Sequence, residues 1–280
     1  MEKTQKRQKA FSVVLAVYLL CYVFRVFEYF ILRTDKTWVG EAIVHKLTGI
    51  LILLAAAGLL RVTWKEIGFS NKGGLWYLLK GLAFGIGVFT VAYAVELLIA
   101  VASGSFDSLQ IYVSTYAVNQ NTGHQTEILF FMICIVGNIV NVVMEEGVFR
   151  GLFQKILERK YSFLVSALIA SALFGLWHII GPIRSYCDGA FGTEGMIANA
   201  VMLMVTSALV GFKFALITKM TGNLYMAMGD HFVNNTIVNI LHVVSDTGAD
   251  EMMFVRITIA QSVSFLLVII YYIRRGCKSK

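Results

Sequence analysis

The chain has 280 residues, of which 58% are apolar, a mean hydropathy of +0.72 and a formal net charge of +7. That apolar content is more than a soluble domain of this length carries, which excludes a soluble globular protein and identifies an all-α polytopic membrane protein. The positive charge sits at the ends of apolar segments, which marks membrane topology and not a nucleic-acid footprint.

Runs long enough to cross ~30 Å of hydrocarbon number about eight and form a single integral membrane domain, 1–280. The first, Phe11–Leu32, follows Lys3, Lys6, Arg7 and Lys9. It has no small-residue cleavage site and carries Arg25 and Glu28 near its far end, so it reads as a retained helix and not a signal peptide. Ile43–Val62 is the second span and Trp76–Val101 the third, where Gly81 and Gly85 form a small-residue pair for close helix approach. Lys80 and Lys213, in the third and sixth spans, are expected to snorkel to the cytoplasmic surface, whereas Arg25, Glu28 and Glu96 read as interfacial or paired charges. A loop of modest size, Ser103–Thr126, leads to the fourth span.

That span, Ile128–Phe149, ends on the most informative residues of the chain. Asn138, Asn141 and Glu145 share one helical face at spacings of three and four, and such a polar stripe must face protein or a wet cavity. Glu146 lies one turn before Arg150 and is expected to pair with it, a spacing that surface helices also use. Phe163–Ile180, the fifth span, carries the small residues Ala167, Ser171 and Gly175 and the motif Phe174-Gly-Leu-Trp-His178; Pro182, the sole proline, follows it. The sixth span is Ile197–Ile217. In the seventh, Tyr225–Val244, His231, Asn235 and Asn239 recur every fourth residue and His242 continues the face, which Asp230 and Asn234 widen. Phe254–Ile273 is the eighth.

Most Lys and Arg fall on one side of this arrangement, around residues 3–9, 61–72, 150–160, 213–219 and 274–280, so that side and both termini are expected to be cytoplasmic. Four scattered cysteines, Cys21, Cys134, Cys187 and Cys277, indicate neither a disulfide framework nor a thiolate metal site.

Three polar sites in three helices suggest one composite site. A partly desolvated carboxylate can take a proton from water, imidazole can orient that water, and a His and an Asn one turn apart can hold a developing oxyanion. The set suits hydrolysis of an amide by an activated water. Zinc held by Glu145, His178 and His231 is an alternative, weakened by the absence of a His-Glu-x-x-His helix.

At these residues the chain resembles the CPBP family (CaaX protease and bacteriocin-processing, Abi) of intramembrane glutamic endopeptidases, which includes the type II CaaX prenyl endopeptidase. Glu145-Glu146-x-x-x-Arg150, Phe174-x-x-x-His178 and His231-x-x-x-Asn235 occur in the family's order within a motif-bearing core, 127–242. The resemblance implies an endopeptidase without cofactor that cuts a peptide bond near the cytoplasmic membrane face. Carried over, Glu145 activates the water, His178 positions it, His231 and Asn235 stabilise the oxyanion, and Glu146 and Arg150 support them. It also implies a peptide or protein substrate that is membrane-associated or lipidated. The charge distribution points to no nucleic-acid partner, and the short loops and absence of a targeting extension point to a bacterial plasma membrane. Two other classes stay open: a non-catalytic scaffold or bacteriocin-immunity protein that binds a peptide in the same cavity, and a transporter, against which the lack of proline-broken helices counts.

Overall fold

The computed structural model describes residues 2–37, 42–70, 72–114, 123–190 and 192–278; Lys280 and part of the loop after the third span lie outside the described residues. Among the described residues the fold is all-α apart from one two-stranded ribbon. Helix α1 (Glu2–Phe27) runs into a π-helical turn (Glu28–Leu32) and is followed by α2 (Val44–Leu59), the short α3 (Trp64–Ile67) and α4 (Gly74–Ser103). Strand β1 (Phe106–Ile111) precedes α5 (Ile128–Glu145), which passes through a π-helical segment (Glu146–Phe153) into α6 (Gln154–Glu158). Then come α7 (Phe163–Trp177), α8 (Ile180–Cys187), α9 (Thr193–Thr221), α10 (Tyr225–Ile240), β2 (Leu241–Ser245) and α11 (Met253–Lys278).

Among the described residues, 6 helical stretches are long and apolar enough to cross a membrane. The expected second and seventh spans are the 16-residue helices α2 and α10, and the polar face of α10 lowers its apolar content further. At ~1.5 Å per residue, each reaches about 24 Å, short of the full hydrocarbon thickness.

Contacts at the two ends of the bundle keep to themselves. At the first end, Arg159 donates to the Leu60 carbonyl (3.4 Å) and Arg275 to that of Met220 (2.5 Å). At the other, β1 and β2 pair antiparallel, Arg33 forms a two-pronged bond to Asp188 (2.6 and 3.0 Å), and Arg184 pairs with Asp35. Successive long helices therefore alternate in direction.

The small-residue stripes mark where backbones touch. A Cβ on Gly81 would stand 2.2 Å from the Met226 carbonyl oxygen, and one on Gly229 would stand 2.6 Å from that of Leu78, so α4 and α10 pack backbone to backbone. Gly175 does the same for α7 against α9, with Met204 O at 2.3 Å. Beside these seams lies an aromatic core of Tyr18, Phe149, Phe153, Phe174 and Trp177.

Two expectations are corrected. Lys213 does not snorkel: it is fully buried, 2.8 Å from Asp230, and donates to Gln261 and Ser264, because a carboxylate on α10 is nearer than the surface. His242 does not extend the face of α10. The helix stops at Ile240, and His242 stands in β2, stacked on Tyr112 with its Nδ1 3.0 Å from Asp250. Glu96 is paired as expected, with Arg256 at 2.7 Å. Lys80 is exposed and lies over the Trp76 ring.

Candidate active site

A cavity of about 300 Å³ gathers the residues that the sequence singles out. Glu145, His178, His231 and Asn235 all line it, with Asn138, Asn141, Asn234 and Asn239. Glu146 and Arg150 lie beneath its floor, 0% and 1% exposed.

Glu145 is the last α-helical residue of α5 and is 3% exposed. Its Oε1 accepts from the Trp177 indole at 3.1 Å, and its Oε2 accepts from Asn141 at 3.3 Å. The Asn141 contact is the i,i+4 relation that the stripe implies. Arg25 Nη1 lies 3.9 Å from Oε1, with its guanidinium over the Trp177 ring at 4.3 Å. Arg25 is therefore a neighbour of the central carboxylate, not a partner of Glu28.

The helix changes its winding at Glu146. In the π-helical segment more residues fill each turn, so successive side chains diverge less in direction than along an α-helix. Both carboxylates consequently reach the same imidazole. His231 Nδ1 lies 2.9 Å from Glu146 Oε1, and its Nε2 lies 3.6 Å from Glu145 Oε2. Because Glu146 accepts at Nδ1, Nε2 is the ring atom turned to Glu145 and the cavity. Glu146 also pairs with Arg150 at 3.3 Å, as its spacing implies. The Arg150 guanidinium stacks over Phe174 at 3.9 Å, and a Cβ on Gly211 would come 2.8 Å from its Nη2, so that glycine makes its room.

His178 caps α7. Its Nδ1 donates to the Phe174 carbonyl at 2.8 Å, since a carbonyl can only accept, which leaves Nε2 free to accept in the neutral ring. The helix bearing Glu145 runs on without a break to Glu158, with Gln154, Ile156 and Leu157 buried.

Asn235 is oriented by a relay of amides. Its Oδ1 accepts from Asn234 Nδ2 (3.0 Å), Asn234 Oδ1 accepts from Gln261 Nε2 (2.6 Å), and Gln261 Oε1 accepts from Lys213 Nζ (3.0 Å). With the oxygen engaged, the nitrogen of Asn235 is its remaining donor.

Sequence reasoning missed Trp177, Gln261 and a buried pair beside the site. Glu28 accepts from the backbone nitrogens of Val44 (2.8 Å) and His45 (2.5 Å) at the start of α2 and from His45 Nδ1 (2.6 Å), and His45 lines the cavity. A carboxylate at a helix N-terminus has a physical signal, but only once the helix start is known. Among the described residues, no group of three or more His, Cys, Asp or Glu is disposed to hold a metal ion.

Residues 127–237 match the family model described as Type II CAAX prenyl endopeptidase Rce1-like. The match contains every motif residue named above and covers less than half of the chain. A search of curated proteins finds no match.

Proposed function

We propose that this integral membrane protein, whose core belongs with the Rce1-like peptidases, hydrolyses a peptide bond with a water activated by Glu145. The observation that supports this reading is the convergence of Glu145, His178, His231 and Asn235, from three helices, on one cavity.

Glu145 removes a proton from the water as the water adds to the scissile carbonyl, and later delivers it to the departing amine. Trp177 and Asn141 hold the carboxylate in one orientation throughout. His178 accepts a hydrogen bond from the water at Nε2 and aims it. Protonated His231, through Nε2–H, and Asn235, through its amide nitrogen, donate to the oxyanion that forms beside Glu145. Glu146 fixes the imidazole of His231 from behind, and Arg150 balances the charge of Glu146.

This reading assigns no metal to the site, because the sequence lacks a His-Glu-x-x-His helix. Activity that survives 1,10-phenanthroline supports the metal-free reading, and activity lost to the chelator and restored by zinc sinks it.

The test of function is Glu145→Gln in the purified full-length protein, with released peptides followed by mass spectrometry. Removing a general base lowers the rate by about 100- to 10,000-fold. Unchanged cleavage overturns the assignment. A bound but uncleaved peptide in both wild type and variant supports the scaffold or immunity reading instead.

A further inference from the structure

The catalytic cavity has a floor and a mouth, and they lie toward opposite ends of the bundle. Beneath Glu145 and His231 the way is blocked by Phe149, Phe153, Phe174 and Leu224, each at most 1% exposed. In the other direction the side chains open progressively. Along α10, His231 is 4% exposed, whereas Asn235 and Asn239 are only half-buried. The wall at that end is formed by Tyr29, Lys46, Arg184, Asn239 and Met253. These residues belong to the turn after α1, the start of α2, α8, the end of α10 and the start of α11, all at the ribbon end of the bundle.

The two ends differ in charge. Connections at the closed end carry Arg61, Lys65, Lys72, Lys155, Arg159, Lys160 and Lys219, with Lys9, Arg274 and Arg275 in the terminal helices. The mouth end carries Arg33, Lys36, Lys46, Arg184 and Arg256, outnumbered by Asp35, Asp107, Glu127, Asp188, Glu194, Asp246, Asp250 and Glu251. Lys and Arg in short loops are retained on the cytoplasmic side during insertion. The closed end is therefore the cytoplasmic one.

We propose that the active-site cavity opens to the non-cytoplasmic face and that the substrate is an exported polypeptide, cut after it has crossed the membrane. This reverses the expectation of cleavage near the cytoplasmic face, and it rests on the reading of the Glu145 cavity as the active site. A cytoplasmic peptide tail meets the basic end, where packed aromatic rings separate it from Glu145. A peptide segment outside the membrane instead descends past Asn239 and Asn235. From Asn239 to His231 is eight residues, ~12 Å of helix, a depth that about four extended residues span.

The experiment uses impermeant thiol labelling of the full-length protein in intact cells, with Cys277 replaced by serine. Cys187 is exposed at the mouth end, whereas Cys21 and Cys134 are buried. A sulfonated maleimide is expected to label Cys187 in intact cells, and to label Asn239→Cys in a Cys187→Ser background. Glu66→Cys, at the basic end in the same background, is expected to react only after permeabilisation. The opposite pattern, with Glu66→Cys labelled and the two mouth positions protected until lysis, overturns the proposal. Labelling of Cys187 without Asn239→Cys, even in detergent, overturns the assigned mouth. A second arm supplies an impermeant fluorogenic peptide library to right-side-out and inside-out vesicles. Cleavage that depends on Glu145 is expected at least tenfold higher in right-side-out vesicles, and the reverse ratio overturns the proposal. If Glu145→Gln cleaves as wild type in detergent, the functional reading fails while the labelling result stands.

Discussion

The Trp177 indole nitrogen donates to Glu145 Oε1 at 3.1 Å, so the residue before the motif histidine holds the carboxylate that the histidine serves. Trp177→Phe retains the buried ring and removes only this donor. A hydrogen bond to a charged group contributes ~1.5–3 kcal/mol, so kcat is expected to fall about 10- to 100-fold with little change in KM. Steady-state kinetics check it, and an unchanged kcat means that the indole only packs.

Gln261 touches none of the motif residues, yet it donates to the amide that orients Asn235. We expect Gln261→Leu to lower kcat about tenfold and leave KM nearly unchanged, because Asn235 stays in place but loses its fixed amide direction. Gln261→Glu retains an acceptor for Lys213 but has no donor for Asn234, and is expected to show the same kinetic loss with better stability. Wild-type kcat in both variants would remove Gln261 from the positioning relay.

Removal of Glu146 strands two buried partners, Arg150 and the Nδ1 of His231. Breaking such a pair from one side costs ~3–5 kcal/mol, and Glu146→Ala is expected to lower the detergent melting temperature sharply as well as abolish cleavage. Glu146→Gln preserves volume and an acceptor for His231 and is expected to recover part of the stability. Equal melting temperatures for wild type and Glu146→Ala contradict the bracing role.

At the mouth end, hydrogen bonds from Arg33 hold the Asp188 carboxyl below its ordinary value of 3.8. A depressed carboxylate stabilises the folded state above its unfolded-state value, and that stabilisation is lost as pH falls through the folded one. Melting temperature should therefore carry this clamp's full contribution, with no pH dependence from it, between neutral pH and about pH 5, and show a small decline below the ordinary value. The effect is small because the pair is exposed. Asp188→Asn is expected to remove the decline; an equal decline in both proteins discards the clamp.

The helical face of Asn141 and Glu145, the Glu146–Arg150 pair and the His231–Asn235 stripe were legible because each relation lies within one helix, where spacing fixes direction. The convergence of three helices on one site was legible too, but most individual pairings between helices were not. Arg25 and Glu28 read only as interfacial or paired charges, whereas the π-helical turn and the start of α2 give Glu28 two backbone nitrogens and His45, and Arg25 lies beside Glu145. Lys213 looked free to reach the surface because nothing in its own helix announces Asp230. The β1–β2 ribbon joins segments more than a hundred residues apart, and neither strand is long enough to stand out beside the apolar helices.

The backbone contact of α4 with α10 has a consequence for how this protein can be divided. Gly81 presses on Met226, at the start of the helix that carries His231 and Asn235, yet it lies well before the segment that matches the family model. Arg25 and His45, which complete the wall around Glu145, lie before it too. The matching segment is thus not an autonomous module: expressed without its first hundred residues, it would keep every motif residue and lose the scaffold that holds them in register.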